Sequence, residues 1–192
     1  MPVIYRIISL FLLMIIGVSC KEKQEKSDMS QPIEQERAPQ ETQANQPAQF
    51  SLTLKAMLKT DDQLQLFYIQ EQSEGYGINQ MITKDIVGSH DYQSITFELP
   101  KEDYPLNLRL DLGVNKNQGS ISIEECILKY GNSSYEIKGE QFKEYFILNA
   151  GVQLATDAKT FYLKSFMEQG TEKYDPFMQG SPKLNEALLK SL

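Results

Sequence analysis

From Phe50 onward the chain alternates apolar and polar residues with a period of two. "FSLTLKAML" sets Phe50, Leu52, Leu54 and Ala56 against Ser51, Thr53, Lys55 and Met57. Side chains on a strand point alternately to opposite faces, so this pattern predicts a half-buried strand. "QLQLFYIQ" over 63–70 repeats it, with Asp61 and Asp62 as the turn before it. "YQSITFELP" puts Tyr92, Ser94, Thr96 and Glu98 on one face and Ile95, Phe97 and Leu99 on the other. In "PLNLRLDLG", Leu106, Leu108, Leu110 and Leu112 share a face opposite Asn107, Arg109 and Asp111. "EYFILNAGVQL" and "KTFYLKSF" read as two late strands. Gly-, Asn- and Pro-rich turns ("SEGYG", "VGSHD", "LPKEDYP", "VNKNQG", "YGNSS") separate these runs. Short strands punctuated this way predict an all-β antiparallel sandwich over residues 50–192.

Two local features refine this. In "SISIEECILKY" the apolar set runs Ile121, Ile123, Cys126, Leu128, Tyr130, with a phase slip at Glu124 and Glu125. One extra residue there, a β-bulge, restores the inward face and buries Cys126, and is preferred to the alternative in which Ile127 faces inward and Cys126 outward. Near the end, Ser181 followed by Pro182 predicts a helix start. Leu184, Leu188 and Leu192 then line one face of a short terminal helix, with Ala187 beside them.

The first 49 residues differ. Residues 7–18 are an apolar run in which Ser9 is the one polar member, preceded by Arg6 and followed by "SCKEKQEK". A bilayer core needs about 20 apolar residues in a helix. This run is shorter, and its length fits the apolar part of a secretory signal. Gly17 and Ser19 are small and lead into Cys20. The stretch resembles the lipobox of bacterial lipoproteins, in the relaxed form familiar in Bacteroidetes-type bacteria; Gly17 stands where Leu is more usual. The resemblance implies a signal peptide over residues 1–19, cleavage before Cys20, a lipid on its thiol and an acylated new amino terminus. The expected location is the cell envelope, anchored to a membrane such as the outer membrane. Several acyl chains hold where one would not, because each buried methylene contributes about 0.8 kcal/mol. Residues 20–49 read as the lipidated cysteine and a spacer. Seven Gln, five Glu and three Pro dominate its 21–49 stretch, and Met29 and Ile33 are its sizeable apolar residues. Such a segment buries too little surface to offset the entropy of ordering it. Its expected mean reach is roughly 30 Å.

Composition narrows the partners. The net charge is -7 over 192 residues. An acidic chain repels phosphate backbones, so nucleic acid is not an expected partner. With two cysteines, one of them Cys20, and one histidine, His90, no disulfide framework, zinc site or His-rich metal centre is expected, and no cofactor. Asp61 and Asp62 with Asp85 or Asp91 would supply oxygen ligands for calcium, but no spaced acidic loop supports such a site. No nucleophile-elbow or phosphate-loop motif is present, and a non-catalytic role is expected.

The 36 residues "ITFELPKEDYPLNLRLDLGVNKNQGSISIEECILKY" resemble a segment of bacterial cell-surface β-sandwiches of the jelly-roll, carbohydrate-binding type. Phe97, Leu99, Pro100, Arg109, Asp111, Gly113, Ile121 and Ile123 carry the match. It implies the sandwich fold and a glycan or envelope component as ligand; docking onto another envelope protein is the other expected role. Arg109 and Asp111 sit two apart and share a strand face. Either they contact sugar hydroxyls, or Arg109 pairs across strands while Asp111 accepts turn amides before Gly113. Tyr76, Tyr92 and Tyr104 are the candidate stacking residues, against the alternative that they close over the core. "YDP" at 174–176, Tyr174, Asp175 and Pro176, suits a turn, with a site role as the alternative.

Overall fold

The computed structural model describes residues 48–190 and Leu192. The expected signal peptide, Cys20 and the spacer up to residue 47 lie outside the described residues. The elements are β1 (Phe50–Met57), β2 (Asp62–Ile69), β3 (Met81–Ile86), β4 (Gln93–Glu98), β5 (Asn107–Asp111), β6 (Ser120–Tyr130) and β7 (Ser133–Lys138). There follow α1 (Phe142–Tyr145), β8 (Phe146–Leu148), β9 (Val152–Leu154), β10 (Thr160–Leu163), β11 (Phe166–Glu168), β12 (Thr171–Lys173), β13 (Phe177–Gly180) and α2 (Pro182–Lys190).

The strands form two antiparallel sheets, as the alternation predicts. The first runs β4-β1-β6-β10-β9, with β7 alongside β6. The second runs β3-β2-β5-β13-β8, and β11 and β12 form a separate hairpin. Phe50, Leu52, Leu54 and Ala56 of β1 point inward and are fully buried, as are Leu64 and Leu66 of β2 and Leu108 and Leu110 of β5. Both sheets feed one continuous core, so the fold is a β-sandwich. Each fully buried Leu or Phe contributes about 1.5–3 kcal/mol. Phe142 meets Phe161 edge-on at 5.5 Å and stacks against Phe146 at 6.1 Å. Leu184, Ala187 and Leu188 of α2 are buried in the same core. The helix starts as its sequence predicts: the Ser181 hydroxyl accepts from the backbone N–H of Lys183 at 3.2 Å.

The bulge is present. Lys55 pairs with Glu125 and Ala56 with Ile123, leaving Glu124 as the extra residue. The surplus residue keeps Ile123, Cys126 and Leu128 all inward and fully buried. Glu124 then meets two lysines, Lys55 at 2.6 Å and Lys159 at 3.3 Å. Burial pushes the Cys126 thiol well above its ordinary pKa. Only the thiolate is reactive. In a Cys20→Ser chain a thiol-reactive dye should therefore label nothing until denaturant is added, and then one site per molecule; prompt labelling of the native chain would contradict the buried placement.

Two late segments depart from expectation. "EYFILNAGVQL" is not one strand. Phe142–Tyr145 is a helical turn, β8 pairs with β13 in the second sheet, and β9 pairs with β10 in the first. The crossing is made at Asn149, whose side chain donates to the Asp175 carbonyl at 2.6 Å and accepts from the N–H of Gly151 and of Phe177. An Asn-Ala-Gly corner thus interrupts what alternation alone joins. "KTFYLKSF" likewise divides, ending β10 at Leu163 and opening the hairpin at Phe166.

The turn before Gly113 also has a different owner. Asp62, not Asp111, accepts the turn amides: its Oδ1 takes the N–H of Gln63 at 2.8 Å, Val114 at 2.8 Å and Asn115 at 3.0 Å. Gly113 has φ +130°, and a Cβ there would lie 2.3 Å from Asp62 Oδ2. Only glycine fits that approach.

Candidate functional site

The side chains that the structure gathers lie on the outward face of the second sheet. Arg109 and Asp111 are alternate residues of β5 and therefore project to the same side. In the neighbouring strands Phe67 of β2 lies opposite Arg109, and Phe177 of β13 lies opposite Asp111. Arg109 folds down across this row. Its guanidinium carbon is 3.7 Å from the centre of the Phe177 ring and 5.4 Å from that of Phe67. Cation–ring attraction of this kind contributes about 0.5–1 kcal/mol at exposed sites and more where water is excluded.

Two carboxylates fix the guanidinium in its plane. Arg109 Nε donates to Asp111 Oδ1 at 2.7 Å and Nη2 donates to Asp111 Oδ2 at 2.9 Å. Nη2 also reaches Asp175 Oδ1 and Oδ2, at 3.2 and 3.3 Å. The Asp111 side chain is 13% exposed, that of Arg109 22% and that of Asp175 46%. Burial raises the Asp111 pKa above its ordinary value; hydrogen bonding and attraction from Arg109 oppose the rise, and repulsion from Asp175 adds to it. Of the structural reading of Arg109 and Asp111, the geometry keeps the pairing of Arg109 and not the turn role of Asp111. Arg109 pairs along its own strand with Asp111 and across to the loop before β13, and Asp111 accepts no turn amide.

Tyr76 joins this face. Its hydroxyl donates to the Leu108 carbonyl at 3.2 Å and so lays the 70–80 loop against β5. Burial pushes the phenol up to about 12, against a lowering pull from Arg109. Tyr76 is therefore a neutral donor at physiological pH. Ile78 in the same loop is 80% exposed, and Ile147 of β8, opposite Gln179, is 57% exposed.

The other two candidate tyrosines are elsewhere. Tyr104 stands edge-on to Phe50 and Tyr130, at 5.9 and 4.8 Å, and its hydroxyl donates to the Leu188 carbonyl. It closes the core beneath α2. Tyr92 is exposed, but it precedes β4 at the edge of the first sheet. Two members of the cluster, Phe67 and Phe177, did not enter the sequence reading as site residues; Asp175 entered it within "YDP", read first as a turn. For Phe67 a signal existed, because it is an aromatic at an outward position of β2, following Gln63 and Gln65 in phase.

At one end of the sandwich a shallow, open cleft of about 390 Å³ is lined by Asp61, Asp62, Asp85, Val87, Val114 and Asn115 among others. Its acids are already occupied in part. Asp61 accepts the N–H of Gly88 at 2.7 Å, and Asp85 accepts from the Gln63 amide at 2.8 Å. Among the described residues no group of three or more His, Cys, Asp or Glu is placed to hold a metal ion. His90 is exposed in its turn.

The chain as a whole matches no family model, no curated protein and no solved structure. Among the described residues no helix is long and apolar enough to cross a membrane.

Proposed function

We propose that the chain is a lipid-anchored, non-catalytic cell-envelope sandwich that binds a glycan through the outward face of its second sheet. The observation that carries this reading is Arg109, stacked on Phe177, beside Phe67 and held by Asp111 and Asp175. Such a surface offers donors, acceptors and aromatic edges in one place, at an orientation fixed before any ligand arrives. The centre of the first sheet's outward face is different in kind. It is a ladder of Lys–Glu pairs, including Lys55–Glu124 at 2.6 Å and Lys138–Glu136 at 2.9 Å. Pairs exposed like these are screened by water and present a solvated surface.

The anchor in this proposal is the thioether lipid at Cys20, and the spacer gives the head its reach from the membrane. Cys20→Ser should abolish incorporation of radiolabelled palmitate and release the chain from membranes; continued labelling would remove the lipoprotein reading. For the ligand, the test is a glycan array probed with the purified chain and with Arg109→Ala. Binding by the first and not the second is expected. The exposed Ile78 and Ile147, both at the second sheet, favour a second reading, docking onto another envelope protein. No glycan signal, together with one co-purifying protein lost on replacing these two residues, would select it.

A further inference from the structure

We infer that Arg109 and Asp175 together recognise two adjacent hydroxyls of an uncharged sugar, and that the site turns away sugars bearing a carboxylate. The inference rests on the glycan reading above and names the class of glycan.

It follows from which hydrogen-bonding groups remain free. A guanidinium has five N–H donors: one on Nε, two on each Nη. Nε serves Asp111, and Nη2 serves Asp111 and Asp175. Nη1 makes no hydrogen bond to any described side chain or carbonyl, so its two donors remain for a ligand. On the acceptor side Asp111 is largely closed off, since each of its oxygens takes an Arg109 N–H and only 13% of the side chain is exposed. Asp175 is not. It is 46% exposed and is held only by Nη2, at 3.2 and 3.3 Å. Each carboxylate oxygen has lone pairs left. The free donors of Arg109 Nη1 and the free acceptor sites of Asp175 therefore stand side by side. A vicinal diol matches that pair, because one hydroxyl can donate to Asp175 while its neighbour accepts from Nη1. Asp111 is a positioning residue here, holding the guanidinium in plane.

The same accounting disfavours anions. Arginine captures carboxylates through two parallel N–H bonds from one edge of the guanidinium. The Nε–Nη2 edge is filled by Asp111, and half of the Nη1–Nη2 edge is engaged by Asp175. Two carboxylates against one guanidinium leave the cluster with net negative charge, which repels an acidic sugar.

The experiment titrates hexamers into the native chain and into Asp175→Asn: maltohexaose, cellohexaose, xylohexaose and mannohexaose as neutral probes, hexagalacturonate and hexamannuronate as acidic ones. At least one neutral hexamer should bind the native chain, with both uronates weaker by about tenfold or more. Asp175→Asn should weaken the neutral complex by about tenfold, with an unchanged melting temperature, because the exposed side chain contributes no core packing. Uronate binding equal to or tighter than neutral binding would overturn the inference and leave the glycan reading standing. Neutral binding untouched by Asp175→Asn would overturn the role of this pair. No binding by any hexamer would overturn the inference and the glycan reading together.

Discussion

Asp62→Ala is expected to cost about 3 kcal/mol of stability, because three backbone N–H groups lose a charged acceptor at once. Asp62 Oδ1 accepts from Gln63, Val114 and Asn115, which belong to two segments far apart in the chain. The same junction is reinforced around it. The Asn115 amide donates to the Asp61 carbonyl at 2.9 Å, and Gln118 Oε1 accepts from the Thr60 hydroxyl at 2.8 Å. Together these bonds fasten the turn between β1 and β2 to the loop between β5 and β6. Hydrogen bonds to a charged group contribute about 1.5–3 kcal/mol each, and the partial exposure of Val114 and Asn115 lets water recover part of the loss. Asp62→Asn keeps one acceptor oxygen and should cost roughly half as much. Urea unfolding of the two variants measures both values. An alanine variant as stable as the native chain would show that the junction is not held by this carboxylate.

Arg109→Gln is expected to cost about 2–3 kcal/mol near neutral pH and less in acid. Removing the guanidinium strands Asp111, a mostly buried carboxylate, without its partner. The pH dependence follows from the direction of its pKa. Burial already holds the Asp111 carboxyl above its ordinary value in the fold, with Arg109 opposing. Without Arg109 it rises further. A carboxyl raised on folding holds its proton more tightly in the folded than in the unfolded chain. Its cost is therefore complete at pH above the raised value. It diminishes as pH falls through that value, and it is gone below the value of the unfolded chain. Denaturation of Arg109→Gln at pH 7 and pH 4 should show the smaller loss at pH 4. Adding Asp111→Asn should restore part of the stability at pH 7, because no charge is then stranded. A loss independent of pH, with no recovery in the double variant, would mean that Arg109 stabilises through its stacking on Phe177 alone.

The sandwich was legible because its inward positions are large and regularly spaced. Leu64, Leu66, Leu108 and Leu110 announce their strands, and the phase slip at Glu124 announces the bulge. What escaped was short or polar. In β3, Thr83, Lys84 and Asp85 are exposed, which leaves too little apolar alternation to mark an edge strand. β13 has four residues, so no period is established within it. The two sheets between which β8 and β9 divide cannot be told apart from local pattern, since both strands place apolar residues inward. The site shows the same limit. The shared face of Arg109 and Asp111 follows from their spacing alone. That Asp175 completes the cluster depends on β13 pairing with β5, a contact 66 residues apart in the chain. For Asp62 and Asp111, both acidic and both beside turns, sequence offered no means of deciding which accepts the amides near Gly113. Only the approach of the β1–β2 turn to that loop decides it.

Hydrogen–deuterium exchange of the purified chain, with and without the tightest-binding hexamer, tests the central claim most directly. The account predicts slowed exchange at β5, β13 and the 70–80 loop, centred on Arg109, Asp175 and Tyr76, with the first sheet unchanged. Protection confined to the first sheet, or none at saturating hexamer, would contradict it.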